Sequence, residues 1–324
     1  MPEEVSRPDE SETVRVSALE RSRHRIEVLE GRAQAIAERA QHERTRHGSV
    51  DAVFEMVDRD GEVAGGIIAG ALAFRLFIWL LPFALVAVAG LGIAARQSSE
   101  SPKTAARALG LTGLVTHSVA TAAKSGNRWY ALALGIPVLI FATRSVLRVL
   151  IGCHRLVWGD LRIAVPKPKL GATLRLLVLI LCFYGLTGFA AWERARSGGL
   201  GLGVTLAVTV GYGALWLVVS LRLPHHGARW TALIPGAIVF GLCAEVLQLV
   251  AVYLLAPYAL EKQGTYGALG LAAGLMLGLF FVSRIIVGSA VVNATLWERK
   301  TARLEPAAAP VMASHKGDEA GRTP

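Results

Sequence analysis

The sequence is short of the residues that most chemistry uses. Charged residues make up 18% of the 324 and aromatics 7%, and there are three cysteines. Those cysteines, Cys153, Cys182 and Cys243, lie far apart, each in or beside an apolar run, with neither disulfide nor metal-ligand spacing. No Walker loop, no Gly-x-Ser-x-Gly elbow and no His/Asp cluster able to hold two metals is present. His225 and His226, beside Pro224, find no third ligand at zinc-like spacing and read as a solvated loop. An enzyme is therefore not expected, nor a metal or cofactor.

What is abundant is apolar bulk: 53% hydrophobic content with a net charge of +10. The charge is uneven. Residues 1 to 62 hold 10 Lys/Arg against 15 Asp/Glu, a balance of −5, which leaves 24 − 9 = +15 for residues 63 to 324. A nucleic-acid binder of similar charge clusters its basic residues in soluble patches, whereas most of these flank apolar runs, so no nucleic acid is expected and the partner implied is a lipid bilayer. Six continuous apolar segments, roughly 64–95, 129–151, 172–192, 200–220, 231–256 and 266–296, each supply the ~20 residues a helix needs to cross a ~30 Å hydrocarbon core. The expected fold is all-α: a polytopic integral membrane protein, a bundle of six transmembrane helices with an N-terminal cytoplasmic amphipathic helix.

Around that domain, 63–298, the sequence divides into a charged arm, 1–48, helical in part, a 49–62 amphipathic interfacial helix, and a disordered tail, 299–324. No apolar core with a cleavage site precedes the first run, so a cleavable signal peptide is not expected. With the N-terminus inside, the cytoplasmic flanks hold twelve basic residues (Arg44, Arg46, Arg59, Arg155, Arg162, Lys167, Lys169, Arg222, Arg229, Arg299, Lys300, Arg303). The opposite flanks hold eight (Arg96, Lys103, Arg107, Lys124, Arg128, Arg194, Arg196, Lys262). This asymmetry favours both termini in the cytoplasm.

Several motifs in order then carry a resemblance: GGIIAGALAFRLFIWLLPFALVAVAGLG (65–92), ARWTALIPGAIVFGLCAEVLQLVAVYL (228–254), GTYGALG (264–270) and NATLWE (293–298). Over about residues 50 to 298 the chain resembles the YihY/BrkB family of bacterial inner-membrane proteins. The resemblance implies six spans with both termini cytoplasmic. It implies no chemistry, and two positions depart from the family's pattern: Arg75 stands where many relatives have an aromatic or small polar residue, and Val291 near where many have an acid.

Ionisable groups inside spans are the natural site candidates, since each costs roughly 2.5–3.5 kcal/mol at a helix centre on insertion scales. Arg75, Arg144, Arg148 and Arg284 are candidates for an anion or anionic-lipid site, Arg75, Arg144 and Arg284 being expected in one layer, with Glu245 as counter-charge. The other reading is that Arg144 and Arg148 snorkel to lipid phosphates and enforce topology, and that Glu245, with Gln248 a turn away, is an interior polar contact. Gly66 with Gly70, and Gly270, Gly274 and Gly278, repeat every four residues and are expected to pack helices closely. Pro82, Pro137 and Pro235 are expected to interrupt spans. Two functions follow: a transporter or translocation factor for an anionic envelope lipid or solute, or an envelope scaffold whose arm, residues 1–48, recruits a cytoplasmic protein.

Overall fold

The computed structural model describes residues 48–97, 128–160, 165, 167–197, 202–251 and 256–304. The arm assigned to a protein partner, the 98–127 segment and the tail beyond Leu304 lie outside them. A helix α1 (Gly48–Glu62) is followed by α2 (Gly65–Gln97), α3 (Arg128–Val157), α4 (Leu170–Ser197), α5 (Leu202–Ser220), a 3-10 turn (Trp230–Leu233), α6 (Ile234–Val250) and α7 (Ala256–Leu304). No strand occurs among the described residues. Helices α2 to α7 contain six segments long and apolar enough to cross a membrane.

The packing is that of a membrane protein. Large apolar side chains face outward along every span: Ile67, Phe141, Leu174, Leu206, Val246 and Phe281 are all exposed. In water such a surface would drive aggregation; in hydrocarbon it is the ordinary lipid face, and helices satisfy their own backbone groups there. Inside, aromatic rings fill the space between helices. Trp79 and Phe83 of α2 stack at 4.9 Å, and Phe83 stacks on Tyr184 of α4 at 4.8 Å. Trp216 of α5 stacks on Phe240 of α6 at 4.5 Å. The fully buried Trp79 donates its indole N–H to Thr143 of α3 at 2.8 Å, so the polar edge of the ring is satisfied within the core.

Two boundaries differ from the sequence reading. Helix α7 runs 49 residues and continues through Leu304, so Arg299, Lys300 and Arg303 are helical and not part of a tail. Pro235 does not interrupt a span; it sits in the first turn of α6, where its missing N–H had no helical partner to lose.

The close helix contacts also fall elsewhere. A Cβ added at Gly66, Gly70, Gly274 or Gly278 would meet nothing within 4 Å, and Gly270 is exposed, so among the described residues no neighbouring helix leans on those positions. Backbones instead approach at Gly213, Gly236 and Gly241. A Cβ on Gly241 would come within 2.6 Å of the Thr209 carbonyl, and one on Gly236 would fall on the Ser289 carbonyl and within 2.5 Å of Asn293 Nδ2. Asn293 uses that proximity. Its Oδ1 accepts the Gly236 N–H at 2.7 Å, capping from α7 the first turn of a helix whose own cap residue, Leu233, offers no side-chain hydrogen bond.

Candidate functional site

The arginines sort by partner. Arg59, near the end of α1, is held on two sides: Nε and Nη2 donate to the Val157 carbonyl at 3.0 and 2.6 Å, and Nη1 and Nη2 donate to the two Glu298 oxygens, the second at 2.8 Å. The guanidinium fork matches the carboxylate while its remaining edge closes an orphan carbonyl at the C-terminus of α3. One side chain thus joins residue 59 to the ends of α3 and α7, where Trp158 and Trp297 pack at 5.6 Å. The next residue, Asp60, accepts from Arg284 of α7 through both oxygens, at 3.1 and 2.9 Å. The counter-charge of Arg284 is therefore Asp60 and not Glu245.

The remaining span arginines lack such partners. Arg75 and Arg148 are exposed, and among the described residues neither makes a hydrogen bond or ion pair. Arg144 is half-buried, and its Nε is buried without a hydrogen-bond partner. This position matters because Thr143, the preceding residue, is fully buried and is spoken for by Trp79 and by the Leu139 carbonyl. The backbone leaves Arg144 on the border between core and surface, about 20 Å along α3 from Val157 at 1.5 Å per residue.

Arg148 and Arg155 follow on the same face. At about 100° per residue, the three directions fall within roughly 40° of one another, and the rise from 144 to 155 is about 17 Å. Arg155 lies 3.7 Å from Asp160 at the helix end. A ladder of guanidinium groups thus descends one face of α3, with its deepest member lacking an acceptor. Arg75 stands one turn before Trp79, and Trp79 reaches Thr143, which puts Arg75 within about a turn of Arg144 along the bundle. No contact gathers Arg75, Arg144 and Arg284 into one layer, and Arg284 is drawn to the α1–α2 junction instead.

On the opposite wall Glu245 is buried on α6 at 3% exposure. Beside it runs a polar chain across three helices: the Tyr212 hydroxyl of α5 donates to Gln248 Oε1 at 2.6 Å and lies 2.8 Å from Thr187 Oγ1 of α4. Thr187 also sits 2.9 Å from the Phe183 carbonyl, so two hydroxyl protons serve three contacts.

Sequence reading missed the Arg59–Glu298 clamp, Asp60, the cap from Asn293 and the place of Arg155 on the arginine face. Helical spacing carried a signal for the last, since 144, 148 and 155 share a face. The others join residues 57 to 239 positions apart, which spacing cannot reveal. His225 donates from Nδ1 to the Leu223 carbonyl of its own turn, 2.7 Å away, and His226 adopts a positive φ there. Among the described residues no group of three or more His, Cys, Asp or Glu is placed to hold a metal ion.

No curated protein and no solved structure matches the chain. The family model described as virulence factor BrkB matches residues 61–312, which takes in α2 to α7 and the arginine face of α3. The chain is a multi-pass membrane protein and belongs to the BrkB family.

Proposed function

We propose that this protein resides in the bacterial inner membrane with both termini in the cytoplasm and binds and moves an anionic envelope lipid or solute, using the arginine face of α3. The observation that carries the reading is Arg144: a guanidinium held inside a span, its Nε buried without an acceptor, at the head of a ladder continued by Arg148 and Arg155. A guanidinium in that setting favours an oxyanion, because phosphate and carboxylate accept two parallel N–H bonds from it and cancel its charge. Arg75 stands near enough along α2 to contribute a second fork. Lower on the ladder the groups reach the end of the bundle, where the positive-inside asymmetry puts the cytoplasm.

The test is transbilayer movement of a fluorescent phosphatidylglycerol analogue in proteoliposomes. Wild-type protein is expected to accelerate it, and Arg144→Gln to reduce that acceleration about tenfold, the worth of one charge-assisted hydrogen-bond pair, with unchanged protein incorporation. A wild-type protein with no effect on flux, or an R144Q variant as fast as wild type, removes the reading and leaves the anchored scaffold.

A further inference from the structure

We infer that the ligand of the α3 arginine face is a phospholipid taken from the side: its phosphate rides the outer surface of α3 between Arg155 and Arg144, while its acyl chains stay in the bilayer beside Tyr130, Leu134 and Phe141. The inference rests on the anion-binding reading above and names the class of anion and its route. Depth is the first observation. The apolar stretch Trp129–Val157 is about 42 Å long at 1.5 Å per residue. Centring it on a ~30 Å hydrocarbon core puts Arg144 close to the midplane, Arg148 about 7 Å inside the edge and Arg155 at headgroup level. A helix directs its side chains toward its N-terminal end, so the backbone aims Arg148 away from the headgroups near Val157 and deeper into the membrane. The three arginines are steps from the interface to the centre of the bilayer.

Direction is the second. The inward side of α3 is filled, with Leu139, Thr143, Val146, Leu147 and Leu150 all buried. Arg148 instead shares its direction, within roughly 40°, with Tyr130, Leu134 and Phe141. Those three are 77%, 68% and 75% exposed, so the stripe they form points out of the bundle. On α2, exposed Arg75 has Phe74 beside it and Ile78 a turn on, both also exposed. One outward face of α3 is therefore apolar over its first half and basic over its second, the pattern of an amphiphile laid along it. A free anion reaches this face only by entering hydrocarbon alone, at the cost that keeps charges out of membranes. A phospholipid already has its tails there and brings in only the phosphate, which the guanidinium groups meet at intervals of about 10 and then 6 Å. Arg155 has Asp160 at 3.7 Å, so the two deeper groups carry most of the attraction. At the deepest step, Arg144 Nε is a donor without an acceptor.

The experiment uses the full chain in proteoliposomes containing one of two photoactivatable phosphatidylglycerols, with a diazirine on the headgroup or at the end of an acyl chain. Crosslinked residues are read by peptide mass spectrometry. The headgroup probe is expected to label residues 144–152 and the acyl probe residues 130–141. In the R144Q/R148Q double variant headgroup labelling there is expected to fall about tenfold, the worth of one charge-assisted hydrogen-bond pair. Headgroup labelling confined to the span ends near 128–130 and 155–158, acyl labelling that avoids 130–141, or headgroup labelling unchanged in the double variant overturns the inference. Should the double variant not fold, the wild-type pattern decides alone. A parallel assay traps radiolabelled glycerol phosphate, the headgroup chemistry without tails, inside the vesicles, and no release beyond that of protein-free vesicles is expected. Release that wild type supports and R144Q abolishes overturns entry from the side while leaving a protein that moves anions. Mid-depth labelling without phosphatidylglycerol flux has the opposite meaning: the lipid seat stands and the movement proposed above fails.

Discussion

The two walls of the bundle are built on different terms. Where α5, α6 and α7 meet, backbones touch at Gly213, Gly236 and Gly241, Asn293 caps α6, and each polar group named there sits against protein. Where α2 and α3 meet, the core is aromatic and satisfied, but its rim carries Arg75, Arg144 and Arg148 with no acceptor among the described residues. The first wall is tight in its backbones, although Trp216 Nε1 and Ser220 Oγ of α5 and Ser283 Oγ and Thr295 Oγ1 of α7 are buried without a hydrogen-bond partner; the second differs in leaving charged guanidinium groups without an acceptor. Proteins commonly keep such mismatches where a ligand completes them, since an isolated buried charge otherwise lowers stability without return. The end of the bundle supplies the internal control: Arg59 and Arg284 show what satisfied guanidinium groups look like in this chain.

Perturbing each wall should separate them. The largest effect is expected from Gly236→Ala, which places a methyl group on the Ser289 carbonyl and against Asn293, neither able to yield cheaply. A loss of about 3 kcal/mol is expected, read as a fall in Tm of the detergent-solubilised protein. A G236A variant as stable as wild type would show the α6–α7 contact to be soft. Arg59→Ala comes next, at about 2 kcal/mol. That figure reflects mainly the lost bonds to the Val157 carbonyl, because Glu298 is 44% exposed and its ion pair is partly screened by solvent. The companion change Glu298→Ala should cost under about 1 kcal/mol, and equal losses for the two would shift the weight to the ion pair. The smallest effect is expected from Gly274→Ala, within about 0.5 kcal/mol, because the new methyl meets open space. A large loss there would mean that the stripe packs against a second copy.

The contrast also shows what the residues alone could tell. Spans were legible because ~20-residue apolar runs have few other uses, and their positions follow the helices to within several residues. Glycines were legible as small residues but not as contacts: Gly274 and Gly278 have the regular spacing, whereas Gly236 and Gly241 have the neighbours. Spacing reports which residues share a face, and only tertiary packing decides whether anything stands opposite that face. The arginines divide in the same way. All four candidates looked alike as costly charges in apolar surroundings, yet Arg284 is neutralised by a residue outside the spans, 224 positions away, which no local pattern encodes.

The central claim, that the face of α3 headed by Arg144 meets an anion, is tested most directly by counting the phosphatidylglycerol that stays with the protein. Wild type, R144Q and Arg175→Gln would be purified from the same mixed-lipid membranes; Arg175 is an exposed arginine near the start of α4 and serves as a control for general headgroup attraction. The account predicts that R144Q retains several-fold less phosphatidylglycerol than wild type at unchanged or slightly raised Tm, while R175Q retains nearly the wild-type amount. Equal retention by R144Q and wild type, or equal losses in R144Q and R175Q, would contradict it.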